Sequence, residues 1–166
     1  SIAFAMDLFG IIVSEIGSIT ERRINRLLNP ALSEGLPAFL IKDAGLNSGL
    51  MILQYTAAAL ASENKILCHP ASVDSIPVSA DQEDHVSMGM NAVLKAKKIL
   101  ENVERIVAIE LFVAAQAIDF VDEKLLGRGT SRTYQTIRKD IAFAEEDREF
   151  SYDISKLYTI LKTRNI

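Results

Sequence analysis

Long apolar stretches alternate with short polar breaks along the chain, and the breaks fall at Asn29–Pro30, Gly35–Leu36–Pro37, His69–Pro70, Ile76–Pro77 and the Gly127/Gly129 pair. Proline removes a backbone donor and glycine tolerates conformations that other residues resist, so such positions end helices and open loops. The segments between them are rich in Ala, Leu, Ile and Glu and lack the two-residue alternation of a half-buried strand. The pattern predicts an all-α fold, a long-helix bundle, with no internal repeat and no low-complexity segment.

Ser18 followed three residues later by Glu21 has the form of a capping box, which predicts a short helix running to Leu28. From Ala44 to Ser62 nineteen residues pass without a charge, long enough to raise a membrane span. Asn47, Ser48, Gln54 and Thr56 interrupt that run, and no basic residues gather at one end. The expectation is instead a helix buried on all sides, with Gly45 and Gly49 letting a neighbouring backbone come close.

A second run, Ile106 to Ile118, carries Glu110 as its single ionisable group. Two such helices need more apolar cover than a few amphipathic neighbours supply, which predicts an oligomer or a larger parent protein. After Gly129, residues 131–150 and 151–166 alternate charges with Ile, Phe, Leu and Tyr at helical spacing, as solvent-facing amphipathic helices do.

Composition sharpens this picture. The 166 residues have room for one hydrophobic core. Hydrophobic residues make up 49% and the mean hydropathy is +0.17, high for a chain whose whole surface faces water. The net charge of −4 is spread evenly, with no basic stripe for nucleic acid or an anionic membrane. Cys68 is the single cysteine, so no internal disulfide can form, and a reducing cytoplasm fits. The first residues, SIAFAMDLFGIIVSEIG, are apolar but lack a basic start, and Asp7 and Glu15 interrupt them. The chain has no initiator Met and opens as if inside a helix, which points to a fragment.

The densest polar chemistry lies in SADQEDHVSMG, Ser79 to Gly89. Ser79 with Gln82 makes a second capping-box pattern, placing Asp81, Glu83 and Asp84 in a first helical turn where the dipole favours negative charge. At about 100° per residue, Asp81, Asp84 and His85 share one face, with Asp81 and His85 able to pair, while Glu83 points to the other side. A metal site needs further ligands, and the other histidine, His69, precedes Pro70 in a loop, so no metal is expected. No Gly-x-Ser-x-Gly elbow and no glycine-rich phosphate loop occurs.

Longer phrases carry more. GLNSGLMILQYTAAALASENKILCHPASVDSIPVSADQEDHVSMG, residues 45–89, resembles the C-terminal region of the aromatic amino acid lyase family, in its histidine-deaminating branch. The likeness extends through ENVERIVAIELFVAAQAIDF and back through LSEGLPAFL, covering at least residues 32–120. It implies that 1–166 is the C-terminal helical region of a longer lyase chain, one that converts L-histidine to trans-urocanate and ammonia in a cytoplasmic homotetramer. It also implies a self-made electrophile, methylidene-imidazolone, formed from an Ala-Ser-Gly tripeptide in the family's N-terminal half. No Ala-Ser-Gly occurs here, so the isolated chain is expected to be inactive. The family's tyrosine base and carboxylate-binding arginine likewise lie upstream, and neither role passes to a residue of this chain.

Two pocket positions do carry over. Glu83, within QEDH, resembles the glutamate that faces the substrate side chain, where a carboxylate accepts a charge-assisted hydrogen bond from an imidazole N–H and is able to exchange a proton with the ring. Met51, within GLMI, resembles a residue lining the same pocket, although methionine in an apolar helix is ordinarily packing. Relatives usually read Asn-Gln-Glu-Asp where this chain has Asp81-Gln82-Glu83-Asp84, a change expected to matter little. Phenylalanine and tyrosine lyases carry an amide-containing phrase instead, and a phenyl ring leaves a buried carboxylate unpaired, so Glu83 favours histidine. The alternatives are a tyrosine or phenylalanine lyase or aminomutase on the same scaffold, or a non-catalytic helical assembly module.

Overall fold

A computed structural model describes residues 2–121 and 126–163. Five helices follow in order: α1 Ile2–Leu28, α2 Met51–Leu67, α3 Gly89–Ile118, α4 Arg128–Asp140 and α5 Ser151–Lys162. Short 3-10 turns occupy Ala38–Leu40 and Ala71–Val73, and among the described residues the only β pairing is two isolated bridges. The all-α expectation holds.

α1 and α3 form the spine and run parallel, as Ala3 and Met6 pack beside Ala92 at one end while Arg23 pairs with Glu110 at the other. Their close approach depends on Gly10 and Gly17, two turns apart on one face of α1. A Cβ at Gly17 would sit 2.9 Å from Val103 Cγ2, and one at Gly10 would sit 3.0 Å from Ile99 Cδ1. The close helix–helix approach expected at Gly45 and Gly49 is made instead by this other pair on α1.

α2 returns antiparallel, since Gln54 near its start bonds Glu21 of α1 while Cys68 at its end reaches the Gly10 carbonyl. The main core gathers Ile24, Leu53, Ile106, Ile109, Phe112, Val113, Ile137 and Leu157 from all five helices. Phe112 is fully buried against the Phe150 ring, centroids 5.7 Å apart, worth about 2–3 kcal/mol of removed apolar surface.

Four expectations need correction. α1 is one continuous helix, so Ser18 caps nothing; the buried stripe Ala3, Gly10, Val13, Gly17, Ile24 and Leu28 runs straight through it onto α3. α2 starts at Met51, because Gly45 and Gly49 sit at φ +107° and +56° in the preceding loop. Within this chain α2 buries only Leu53, Ala57 and Asn64, not every side. The stretch 141–150 is not helical, being drawn into the core by Ile141, Ala144 and Phe150.

α1, rather than Ala44–Ser62, is the one helix among the described residues with the length and composition to cross a membrane, and its buried stripe carries Asp7 and Glu21. Its opposite face leaves Ile2, Phe4, Leu8, Ile12, Ile16 and Ile19 exposed.

Gly49 is needed for itself. A Cβ there would lie 2.7 Å from both the Phe39 carbonyl oxygen and Ile41 Cβ, in a left-handed backbone. Gly49→Ala is expected to lower stability by at least ~2 kcal/mol, read as a drop in the urea midpoint.

Candidate substrate-facing site

Glu83 does not lie on a helix. From Val73 to His85 every residue is exposed, and a helix with no apolar face to bury gains too little from its own hydrogen bonds to form. The chain instead makes a tight hairpin: Val78 N–H donates to the Glu83 carbonyl (3.1 Å), Glu83 N–H donates back to Val78 (3.3 Å), and Gln82 N–H closes the turn on Ser79 (3.2 Å). Ser79, Ala80 and Asp81 all take positive φ, +55°, +54° and +66°. Left-handed backbone costs an L-residue about 1–2 kcal/mol, least for Asn and Asp. That suits Asp81, and equally the Asn of the resembling sequences.

The predicted capping box, the Asp81–His85 pairing and the shared face of Asp81, Asp84 and His85 are therefore absent. α3 begins at Gly89, where Ala92 and Ala96 first find a partner in α1. The separation of roles drawn from that helix goes with it: the turn holds Glu83 at its end, and among the described residues its carboxylate, like those of Asp81 and Asp84, has no hydrogen-bond or ion-pair partner. It is an exposed acceptor on a backbone-fixed turn.

The loop that bears this turn is fastened at both feet. At the first, Ser72 N–H donates to Asp7 Oδ2 of α1 (2.7 Å) and Lys95 of α3 bonds the His69 carbonyl. Burial works to raise the Asp7 carboxyl, but hydrogen bonds from Ser72 and the Ala71 backbone, with the Lys95 charge, outweigh it and hold the group below the usual carboxylate value. At the second foot Met88 packs with Ala3, Met6, Ala71 and Ala92. Between them the Ser75 hydroxyl accepts from Val86 N–H at 3.1 Å.

Met51 occupies a different place. It is half-buried at the first position of α2 and lines a cavity of about 290 Å³ with Asn25, Leu28, Asn29, Pro30, Phe39 and Gln54. Asp147, from the segment before α5, accepts from the Ser48 and Gly49 amides (2.9 and 2.7 Å) and so fixes the entry to α2. Gln54 Nε2 donates to Glu21, whose buried carboxylate is also held by Arg22.

One chain does not bring Glu83 and Met51 together. Met51 sits beside Asn25, and the Glu83 loop is tied at Asp7, roughly 27 Å away along α1. Met88 follows Glu83 by five residue steps, at most ~18 Å of extended chain, so Glu83 belongs to the Asp7 end. Sequence reasoning missed Asp7, Lys95 and Asp147. The signal for Asp7 was a lone charge in an apolar run, whereas nothing local marks Asp147, whose partners lie 98 and 99 residues away.

Among the described residues no group of three or more His, Cys, Asp or Glu is placed to hold a metal. The tripeptide Ala-Ser-Gly does not occur among the 166 residues.

The sequence relatives of this helical bundle are specific. The aromatic amino acid lyase family matches residues 1–139, and the chain belongs to that family. It is 57% identical over 98% of its length to histidine ammonia-lyase 2 of Fusobacterium nucleatum, covering 32% of that protein. The solved histidine ammonia-lyase of Trypanosoma cruzi superposes at a TM-score of 0.94 with 51% identity, over 98% of this chain and 32% of that one. The tyrosine aminomutase of Streptomyces globisporus superposes at 0.95 with 39% identity, over 98% of this chain and 31% of that one. The chain thus spans about a third of the length of the relatives it matches.

Proposed function

We propose that the chain is the C-terminal helical region of a longer histidine ammonia-lyase, a soluble cytoplasmic enzyme that converts L-histidine to trans-urocanate and ammonia. The observation that carries the reading is Glu83: an acceptor without a partner, presented by a fixed turn, of the right charge to take an imidazole N–H. The likeness to a tyrosine aminomutase is nearly as good in shape, so the backbone alone does not choose between substrates. The carboxylate does, because a phenol or phenyl ring seated against it would leave the charge uncompensated.

In this reading Glu83 orients the imidazole and exchanges a proton with it, and Met51 shapes the pocket wall. The electrophile that activates the amine comes from residues outside these 166, as do the base and the carboxylate-binding arginine.

Glu83 and Met51 serve one pocket only if different copies of the chain contribute them, which makes a homo-oligomer, a tetramer in the complete enzyme, part of the proposal. The exposed apolar face of α1 agrees, since contiguous patches of this kind mark interaction surfaces. Urocanate formation by the complete polypeptide, set against tyrosine and phenylalanine as substrates, tests the activity. Subunit mixing tests the shared pocket: Glu83→Ala and Met51→Trp variants, each inactive alone, should on co-refolding recover roughly a quarter of the wild-type rate, because random pairing leaves that share of pockets with both residues intact. No recovery would sink the shared pocket.

A further inference from the structure

We propose that Asp7 is a positioning residue: its carboxylate, projecting from α1, pins the foot of the loop that presents Glu83. The inference rests on the reading of Glu83 as the substrate-facing group. Asp7 is buried within a helix whose apolar run is long enough to cross a membrane, where a carboxylate is costly unless its oxygens are satisfied. They are satisfied by the loop: Ser72 N–H donates to Oδ2 at 2.7 Å, and Lys95 approaches Oδ1 to 3.9 Å while bonding the His69 carbonyl.

One carboxylate and one ammonium, from the two spine helices, thereby hold the backbone at residues 69–72. Beyond this point the loop has little else to fix it. Residues 73–85 are exposed throughout, and their order comes from the Val78–Glu83 pair, the turn at Ser79 and the Ser75–Val86 bond, all internal to the loop. Internal bonds keep the hairpin's shape but do not aim it. Aim comes from the feet: the second runs directly into α3, where Ala92 N–H donates to the Met88 carbonyl (3.0 Å) and Met88 packs on the Ala3, Ala71 and Ala92 cluster, whereas the first is fixed across the fold by the Asp7 and Lys95 side chains.

Positioning matters here because a displacement of about 1 Å at a substrate-orienting group costs up to ~100-fold in rate. In the complete polypeptide, Asp7→Ala should raise hydrogen exchange at residues 72–88 selectively and lower kcat/KM for L-histidine by about tenfold, with the larger part in KM. Asp7→Asn keeps an acceptor oxygen for Ser72 N–H and should recover much of both. Unchanged exchange at 72–88 in Asp7→Ala overturns the pin. Exchange raised equally along α1 and α3, with no rescue by Asn, also overturns it, since Asp7 is then a packing residue only. If Glu83→Ala leaves kcat/KM intact, the reading of Glu83 falls, and the positioning role falls with it even where exchange at 72–88 responds to Asp7.

Discussion

Glu83→Ala in the complete polypeptide is expected to lower kcat/KM for L-histidine by about 100-fold, the equivalent of the ~3 kcal/mol carried by a hydrogen bond to a charged group in a closed site. If the carboxylate also passes a proton to or from the ring, the loss extends by a further factor of at least ~100. Glu83→Gln separates the two contributions. The amide keeps an oxygen to accept the imidazole N–H, so it should bind histidine almost as well, yet it neither carries charge nor exchanges a proton. A Gln variant that holds KM but loses kcat assigns proton transfer to Glu83, whereas equal loss in Gln and Ala assigns charge.

The same Gln variant should narrow the preference for histidine over phenylalanine and tyrosine, because the penalty for burying an unmatched carboxylate beside an apolar ring is gone. Stability should not move by more than ~0.5 kcal/mol in either variant, as the Glu83 side chain is exposed and touches no charged or polar partner among the described residues. A wild-type kcat/KM in Glu83→Ala would end the assignment.

How much of this was legible in the sequence differs from element to element. The run Ile106–Ile118 reads correctly as a core helix because its periodicity and its burial agree: Ile106, Ile109, Phe112 and Val113 are all sealed. The capping patterns fail at both places for one reason. A Ser-x-x-Glu or Ser-x-x-Gln pattern reports what a helix start would gain locally, but α1 already has a continuous apolar stripe running through Ser18, and residues 79–82 have no stripe at all. Tertiary burial decides both cases.

The proposal for Glu83 rests on resemblance and charge chemistry rather than on periodicity, and the helical count that set it apart from Asp81, Asp84 and His85 was built on a helix that does not form. The hairpin that presents it needs three left-handed residues, none of them glycine, and sequence patterns do not foresee backbone of that kind. The residues that hold the loop and the start of α2 were equally hidden. Asp7 and Asp147 act on backbone amides 65 or more residues away, and a backbone amide leaves no trace in the identity of its residue.

Gln116 carries the second large effect and teaches the same point from inside the core. It lies in the nearly charge-free run read as packing, and the structure buries it completely. Its Nε2 donates to the Leu40 carbonyl (3.0 Å) and the Ala144 carbonyl (2.9 Å), while its Oε1 accepts from Ala144 N–H (3.1 Å). One amide thus takes the place of a strand partner for two irregular segments, the turn before α2 and the 141–150 stretch that sequence periodicity assigned to a helix. Gln116→Leu fits the volume but strands two carbonyls and one N–H in an apolar core. At about 1–3 kcal/mol for each unsatisfied buried group, partly relieved by relaxation, the expected loss is ~3–5 kcal/mol, seen as a fall in the denaturant midpoint together with faster exchange of the Ala144 amide. A loss under ~1 kcal/mol would mean that the two segments are held by Ile41, Ile141 and Phe150 packing alone, and that the clamp is incidental.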